Sequence, residues 1–330
     1  MKLQNQESEA GRQPKQSLPL NPVLLKQNAE YWDRKARAEN KHKRGGVFPP
    51  VVYPFKTPFL FDCRLKTDRR MGIGDQLCLI SAIQGVAEYC GGHNVLIWYD
   101  GDYPSSREVF TMSGLSAESH GEDSEYPPGY TIIPCRGHIF DCITGAPMQA
   151  LYAEGEGSPI SGIYWNWGWH KLIRGYPIRL RLYPDQSARD EARIIAKKYT
   201  PFISAMPLEV SRSNNDCTPQ AWRNLLQSVD KSITILFGSS IKEKEQTNTL
   251  IADMNLPHKT AIITSRLQIW RALIDRAVEN YTGNNCGMWL AFSSNIKTYL
   301  LQHEDQSHTH NYMWNYKPKW NCDNIILHNV

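Results

Sequence analysis

Short apolar runs alternate with amphipathic stretches along most of this chain. Phe59-Leu60-Phe61, Asn94–Tyr99 (NVLIWY) and Tyr130–Pro134 (YTIIP) are compact and rich in β-branched and aromatic residues, which predicts buried strands. Between the first two, Leu77, Ile80, Ala82, Ile83, Val86 and Ala87 recur at helical spacing. Val109-Phe110 and Leu115 predict a short helix. The same rhythm returns later. Ala188, Ala192, Ile195 and Ala196 share one face of a helix over Ser187–Lys198, and Pro201–Ala205, Ser232–Phe237 (SITILF) and Thr260–Ser265 read as strands. Thr218-Pro219 is a helix start, with Thr218 as N-cap and Trp222, Leu225, Leu226 and Val229 inward. Leu267–Val278 is amphipathic, with Leu267, Trp270, Leu273, Ile274 and Ala277 on its apolar face. Strand, helix, strand in alternation predicts an α/β fold with parallel sheets covered by helices.

The pattern divides the chain. Residues 1–57 form a polar, basic extension with a proline-rich connector, ending in Pro49, Pro50 and Pro54. A first domain spans 58–183 and a second 184–301, with the boundary in Arg179–Asp185. Residues 302–330 are a tail, in which Trp314, Tyr316 and Trp320 are anchors for a crossing back to the first domain. At 330 residues the chain is long enough for two sizeable cores. Hydrophobic residues at 41% and charged residues at 21% are ordinary for a soluble protein, and no apolar run approaches the ~18 residues of a membrane span. The polar start Met1–Gln16 lacks the apolar core of a secretory signal, so the expected location is cytoplasmic.

Charge and cysteines change the picture little. The net charge of +4 does not demand a nucleic-acid partner. It is locally concentrated, since Arg34, Lys35, Arg37, Lys41, Lys43 and Arg44 face only Glu39 within their run. Such a run contacts phosphates or is simply a solvated tail. The 8 cysteines include no C-x-x-C pair, which argues against structural zinc and for free, mostly buried thiols. His308-Thr309-His310 matches no strong ligand spacing.

Candidate chemistry gathers at three places. Leu65–Leu79 (LKTDRRMGIGDQLCL) runs from basic residues through Gly72 and Gly74 into a helix, with Asp75 in its first turn. The third glycine of the dinucleotide fingerprint is replaced by Leu77, which disfavours NAD. Asp75 is then either a cap or a group that meets a ligand. Ile160–Trp169, with Trp165 and Trp167 followed by His170, is dense in aromatic rings that stack on sugars or seal a seam. Tyr281–Ala291 (YTGNNCGMWLA) is a polar loop opening a helix, where Asn284 and Asn285 offer amides and a pyrophosphate fits the helix mouth.

Taken together, these motifs resemble the heptosyltransferase-like glycosyltransferases, over roughly Phe59–Leu301. Gly74-Asp75-Gln76-Leu77 is similar to that family's Gly-Asp-x-Leu. Ser211-Arg212 followed by Trp222 is the second anchor. Gly283-Asn284-Asn285-Cys286-Gly287 with Leu290-Ala291 resembles its Gly-Asn-Asp-Thr-Gly…Leu-Ala loop. The resemblance implies a GT-B fold, two Rossmann-like domains facing across a cleft, with a nucleotide-sugar donor and a carbohydrate or glycan acceptor. It implies Asp75 as general base, and donor contacts from Ser211, Arg212, Gly238, Ser239, Asn284, Asn285, Cys286 and Gly287. Acceptor contacts would come from Gly74, Trp165, Trp167 and His170. No cofactor is expected, and transfer would be inverting, with Arg212 and the helix mouth in place of a metal. Three departures stand out: Asn285 replaces the family's aspartate, Cys286 its threonine, and Asn215 is nearest to an expected lysine.

Three other readings stay open. A glycosyltransferase acting on modified DNA would use the Arg34–Arg44 run. A protein fucosyltransferase would carry His-x-Arg, but Val210-Ser211 precedes Arg212. A non-catalytic nucleotide-binding or scaffold protein would tolerate the departures at Asn215 and Asn285.

Overall fold

The computed structural model describes residues 58–64, 72–89, 95–135, 163, 180–208, 217–283, 285–302 and 324–329. The basic run Arg34–Arg44, Trp165, Trp167, His170 and the tail from His303 to Asp323 lie outside them.

The first half contains β1 (Phe59–Asp62), α1 (Ile73–Tyr89), β2 (Val95–Tyr99), α2 (Pro104–Thr111), β3 (Ser116–Ser119) and β4 (Thr131–Pro134). Its sheet has the order β3-β2-β1-β4, and every pair is parallel. β1 and β2 are buried along their whole length, which is why they read as unbroken apolar runs rather than alternating ones. Leu60, Leu96 and Trp98 form a small cluster, while Phe61, Ile97 and Tyr99 belong to the main core. α1 is buried without a break from Gln76 to Ile83, wider than the single stripe of a surface helix. One side covers the sheet, and the other meets the second half.

The second half contains α3 (Gln186–Tyr199), β5 (Phe202–Met206), α4 (Pro219–Leu226), β6 (Thr234–Ser239), α5 (Lys244–Met254), β7 (Thr260–Thr264), α6 (Leu267–Ile274), β8 (Asn280–Thr282), α7 (Cys286–Phe292), β9 (Thr298–Gln302) and β10 (Ile325–Asn329). The sheet order is β10-β9-β8-β5-β6-β7, all parallel. Counted within this half, that is the 3-2-1-4-5-6 order of a Rossmann fold, and the first half keeps its 3-2-1-4 part. Each half therefore has a switch point, between β1 and β4 in one and between β5 and β8 in the other. Successive connections leave such a point on opposite faces, and a crevice opens beyond the carboxyl ends of the strands.

Several local expectations change. Gly238 and Ser239, expected in a loop after the strand, are its last two residues and pair with Ile263 and Thr264. Leu115 and Val229 lie beyond their helices, and α6 stops at Ile274 rather than Val278. α5, β3, β8, β9 and β10 are not among the expected elements; β3 and β8 carry no apolar run, whereas β9 (TYLLQ) and β10 (IILHN) do. The last strand, Ile325–Asn329, pairs with β9 in the second sheet, so this part of the tail does not return to the first domain. Thr218 caps α4 as expected, its Oγ1 accepting from Ala221 N at 3.2 Å with Pro219 in the first turn.

The halves meet through helices. α7 packs on α1 and α6 packs on α2, while α3 backs α6 within the second half. Leu77, Ile80, Trp270, Leu273, Met288, Trp289 and Leu290 share one continuous apolar core. Polar ties fix its edge. Glu108 Oε2 accepts from Leu267 N at 2.7 Å, and Gln268 donates to Thr111 Oγ1 at 3.3 Å while accepting from Asp185 N at 2.8 Å. No helix among the described residues is long and apolar enough to cross a membrane.

Candidate active site

The crevice is best followed from Asp75 outward. Asp75 is the third residue of α1, half-buried, and its Oδ2 accepts from Gly72 N at 3.2 Å. A carboxylate that reaches back over the first turn satisfies one of the helix's orphan donors and suits its positive end. The glycines around it act differently from the expected turn. Neither Gly72 nor Gly74 has a positive φ, and Gly74 already lies in the helix. Gly74 faces the indole of Trp289 on α7, and a Cβ there would stand 3.4 Å from Cδ1 and 3.5 Å from Nε1. The small residue lets the start of α1 settle on the helix that follows the Gly283–Gly287 loop. The two motifs singled out in the sequence, 200 residues apart, thus meet across the halves.

On the second half, the loop is built around Asn285. Its side chain is almost buried, and all four of its hydrogen-bonding positions are engaged. Oδ1 accepts from Gly287 N at 2.7 Å, the N-cap bond of α7, and lies 3.1 Å from Thr282 Oγ1. Nδ2 donates to Met206 O at 2.7 Å and Leu208 O at 3.0 Å. Gly283 N adds a second bond to Met206 O, at 3.0 Å. The ends of β5 and β8, the two strands flanking the switch point, are thereby tied together.

Gly287 is required by space. A Cβ there would lie 2.7 Å from Thr282 Oγ1, 2.9 Å from Asn285 Oδ1 and 2.9 Å from Met206 Cβ. Its N–H is already given to Asn285, so the helix mouth holds its own cap at the position where a pyrophosphate was expected. Cys286 is half-buried at the first position of α7. Gly238 has the same crowding as Gly287, since a Cβ would meet Met206 Cγ at 2.8 Å and the Trp270 ring at 3.0 Å. The Ser239 hydroxyl is turned inward, donating to Ser240 O at 2.9 Å and accepting from Thr247 Oγ1 at 3.1 Å. Ser211, Arg212, Asn215 and Asn284 lie outside the described residues.

Beyond β1 a second polar group closes the strand end. Asp62 and Arg64 are both buried and form an ion pair, Nε to Oδ1 at 2.8 Å and Nη2 to Oδ2 at 3.1 Å. Arg64 Nη1 donates to Gly121 O at 2.7 Å and Ser124 O at 3.2 Å, and Tyr126 OH donates to Asp62 Oδ2 at 2.6 Å. Asp62 holds the guanidinium pKa above its ordinary value, and burial, then Asp62, pushes the Tyr126 phenol up. Burial likewise raises the Cys78 thiol, with Asp75 adding to it.

The expectation of a metal-free site assumed that no D-x-D run of paired carboxylates supports a metal, but the chain does contain one, Asp100-Gly101-Asp102. It forms the turn between β2 and α2, with Asp100 Oδ1 accepting from Asp102 N at 3.0 Å. Among the described residues, no three His, Cys, Asp or Glu side chains gather to hold a metal ion.

Trp289 and Thr282 were missed in the sequence as parts of this region. Trp289 stood inside the Cys286–Ala291 stretch, and a bulky aromatic at the start of a short helix was the available signal. Thr282 had none.

No protein-family model matches this chain, and no curated protein sequence does. Solved structures do. E. coli ADP-heptose lps heptosyltransferase II aligns with a TM-score of 0.51 at 10% identity, over 82% of this chain and 90% of that one. The glycosyl transferase family 9 protein from Veillonella parvula gives 0.48 at 10%, over 84% and 87%. E. coli heptosyltransferase WaaC with ADP gives 0.45 at 10%, over 82% and 91%. At this identity the likeness to heptosyltransferase II shows the fold: two Rossmann-like halves in the GT-B arrangement.

Proposed function

We propose that this chain transfers a sugar from a nucleotide-sugar donor to an acceptor hydroxyl, with inversion and with Asp75 as general base. The observation that carries the reading is the seating of Gly74, beside Asp75, on Trp289 of α7. It supports a reading in which the half-buried Asp75 carboxylate of one half works with the switch point of the other, where ligands of such sheets bind. A protein of the same fold, heptosyltransferase II, is named for a nucleotide-activated sugar.

In the proposed step the Asp75 carboxylate takes the proton of the acceptor hydroxyl. That oxygen bonds to the anomeric carbon from the face opposite the leaving group. The bond from the anomeric carbon to the diphosphate oxygen breaks, and the electron pair leaves with the nucleoside diphosphate. Arg212 would neutralise the charge that develops there. Asn285 and Gly287 would shape the donor side through the loop they brace. Trp165, Trp167 and His170 remain the proposed acceptor contacts. The sugar is transferred without a metal ion in this reading.

The test has two arms. Thermal shift against a panel of nucleotide-sugars identifies the donor, because a ligand of the folded state raises Tm by mass action. Nucleotide release is then followed for wild type and D75N with that donor and a glycan acceptor. Loss of about 100-fold or more in D75N fits a general base, whereas unchanged turnover rejects Asp75 in that role.

A second reading is a non-catalytic nucleotide binder. It is favoured by Asn285, which stands where the family resemblance expects aspartate and spends its amide on internal hydrogen bonds. Donor binding without release or transfer would select it.

A further inference from the structure

We propose that Asn285 is a positioning residue, and that its amide rather than a carboxylate is what this site requires. The inference rests on the donor-cleft reading but concerns a different question: what holds the cleft's floor in shape.

The four bonds of Asn285 join three separate pieces of chain. Oδ1 caps α7 through Gly287 N at 2.7 Å. Nδ2 bridges Met206 O at 2.7 Å and Leu208 O at 3.0 Å, where β5 ends and the chain runs on toward Ser211 and Arg212. Thr282 Oγ1, at the end of β8, stands 3.1 Å from Oδ1. The orientation of the amide is fixed by these partners, since a backbone N–H needs an acceptor and two carbonyls need donors.

An aspartate would keep the cap, because its oxygen also accepts from Gly287 N. It would fail at the other end. An ionised carboxylate donates nothing, and it would face two carbonyl oxygens at hydrogen-bonding distance in a nearly dry site. In the resembling family's loop an aspartate stands at this place. In this chain the exchange for Asn285 is accompanied by a three-way tie that only an amide can make. The departure therefore marks a differently braced donor floor. No ligand contact is left for the Asn285 side chain, and its effect on binding passes through the backbone at residues 206–208 and 287.

The experiment uses the full chain and three variants, N285D, N285S and the core control M254A. Met254 is fully buried on α5 and packs in a cluster with Trp222, Leu226 and Leu250, on the same side of the sheet core as Ala205 and Tyr281 but without a hydrogen bond to the Asn285 tie. Binding of ADP, UDP and GDP is measured one at a time by calorimetry, well below each Tm, and amide exchange is followed at Gly283, whose N–H donates to Met206 O. N285D and N285S are expected to weaken the nucleotide that wild type binds by about tenfold or more and to speed Gly283 exchange. M254A is expected to lower Tm yet leave affinity within about twofold. Faster Gly283 exchange with unchanged affinity overturns the positioning role. Unchanged exchange overturns the tie itself. If wild type binds none of the three nucleotides, the donor reading fails, and Gly283 exchange still decides whether Asn285 braces these strand ends. N285S carries the test if N285D does not fold.

Discussion

Gly74 and Trp289 are in contact distance across the two halves, with room for a methyl group and nothing larger: a Cβ on Gly74 would stand 3.4 Å from the indole Cδ1. This approach lies where α1 and α7 pack on one another, one residue before Asp75.

The contact makes a graded prediction. G74A places its methyl at ordinary van der Waals distance and removes a helix glycine, which is worth up to about 1 kcal/mol in a helix interior. Its Tm should stay level or rise. G74V adds two further carbons against Trp289 and should lose about 1–3 kcal/mol by overpacking. Thermal unfolding of the pair checks this; equal Tm values for G74A and G74V would remove Trp289 from the contact.

Glu108 predicts how the halves are held. Its carboxylate accepts from Leu267 N at 2.7 Å and so caps α6 from the opposite half. E108A should cost about 0.5–2 kcal/mol, the range for a lost N-cap. E108Q keeps an acceptor and should cost less. A wider particle by small-angle scattering in E108A, beside a lower Tm, would show that the cap also restrains the domains.

Arg64 predicts a larger effect. It is buried against Asp62 and three carbonyls, with its guanidinium 4.8 Å from the centre of the Trp98 ring. R64A leaves Asp62 buried with its charge uncompensated and should destabilise by about 3–5 kcal/mol. The double variant R64M/D62L removes both charges and should recover part of that loss. Denaturant midpoints for the single and double variants measure the difference.

Tyr281 predicts an alkaline limit. Burial first, and then Glu279, raises its phenol pKa far above the ordinary value, and its OH donates to Glu279 Oε2 at 2.8 Å. The sign follows from linkage. A group whose folded pKa lies above its unfolded value gives stability that is complete below the unfolded pKa, about 10 for tyrosine, and is lost as pH rises toward the folded one. Wild type should therefore lose stability above about pH 10 more steeply than Y281F. Parallel pH profiles for the two proteins would count against this assignment.

Much of the architecture is legible without coordinates. Phe59-Leu60-Phe61, NVLIWY and SITILF announce strands because a parallel strand is buried on both faces and has no need of polar residues. Thr218-Pro219 announces a helix because capping is local chemistry. α5 is silent for the opposite reason: Thr247, Leu250 and Met254 are its only buried residues, too few for a clear stripe. β8 is a central strand of three residues, two of them polar. Asn280 is buried there, with Ser204 Oγ donating to its Oδ1 at 2.7 Å from a position 76 residues away.

The same division holds for the site. Sequence alone determined the alternation of strands and helices in two α/β halves, the position of Asp75 in a helix's first turn, and the polar loop that opens α7, while the Rossmann-like pairing of the halves was implied by the family resemblance. These follow from periodicity and capping, which act over a few residues. Only the tertiary structure decided that Gly74 lies against Trp289 and not in a turn, that the Gly287 N–H is spent on a cap, and that Asn285 joins β5 to β8. Close approach and hydrogen-bond saturation depend on which distant groups share a space, and no local pattern carries that information.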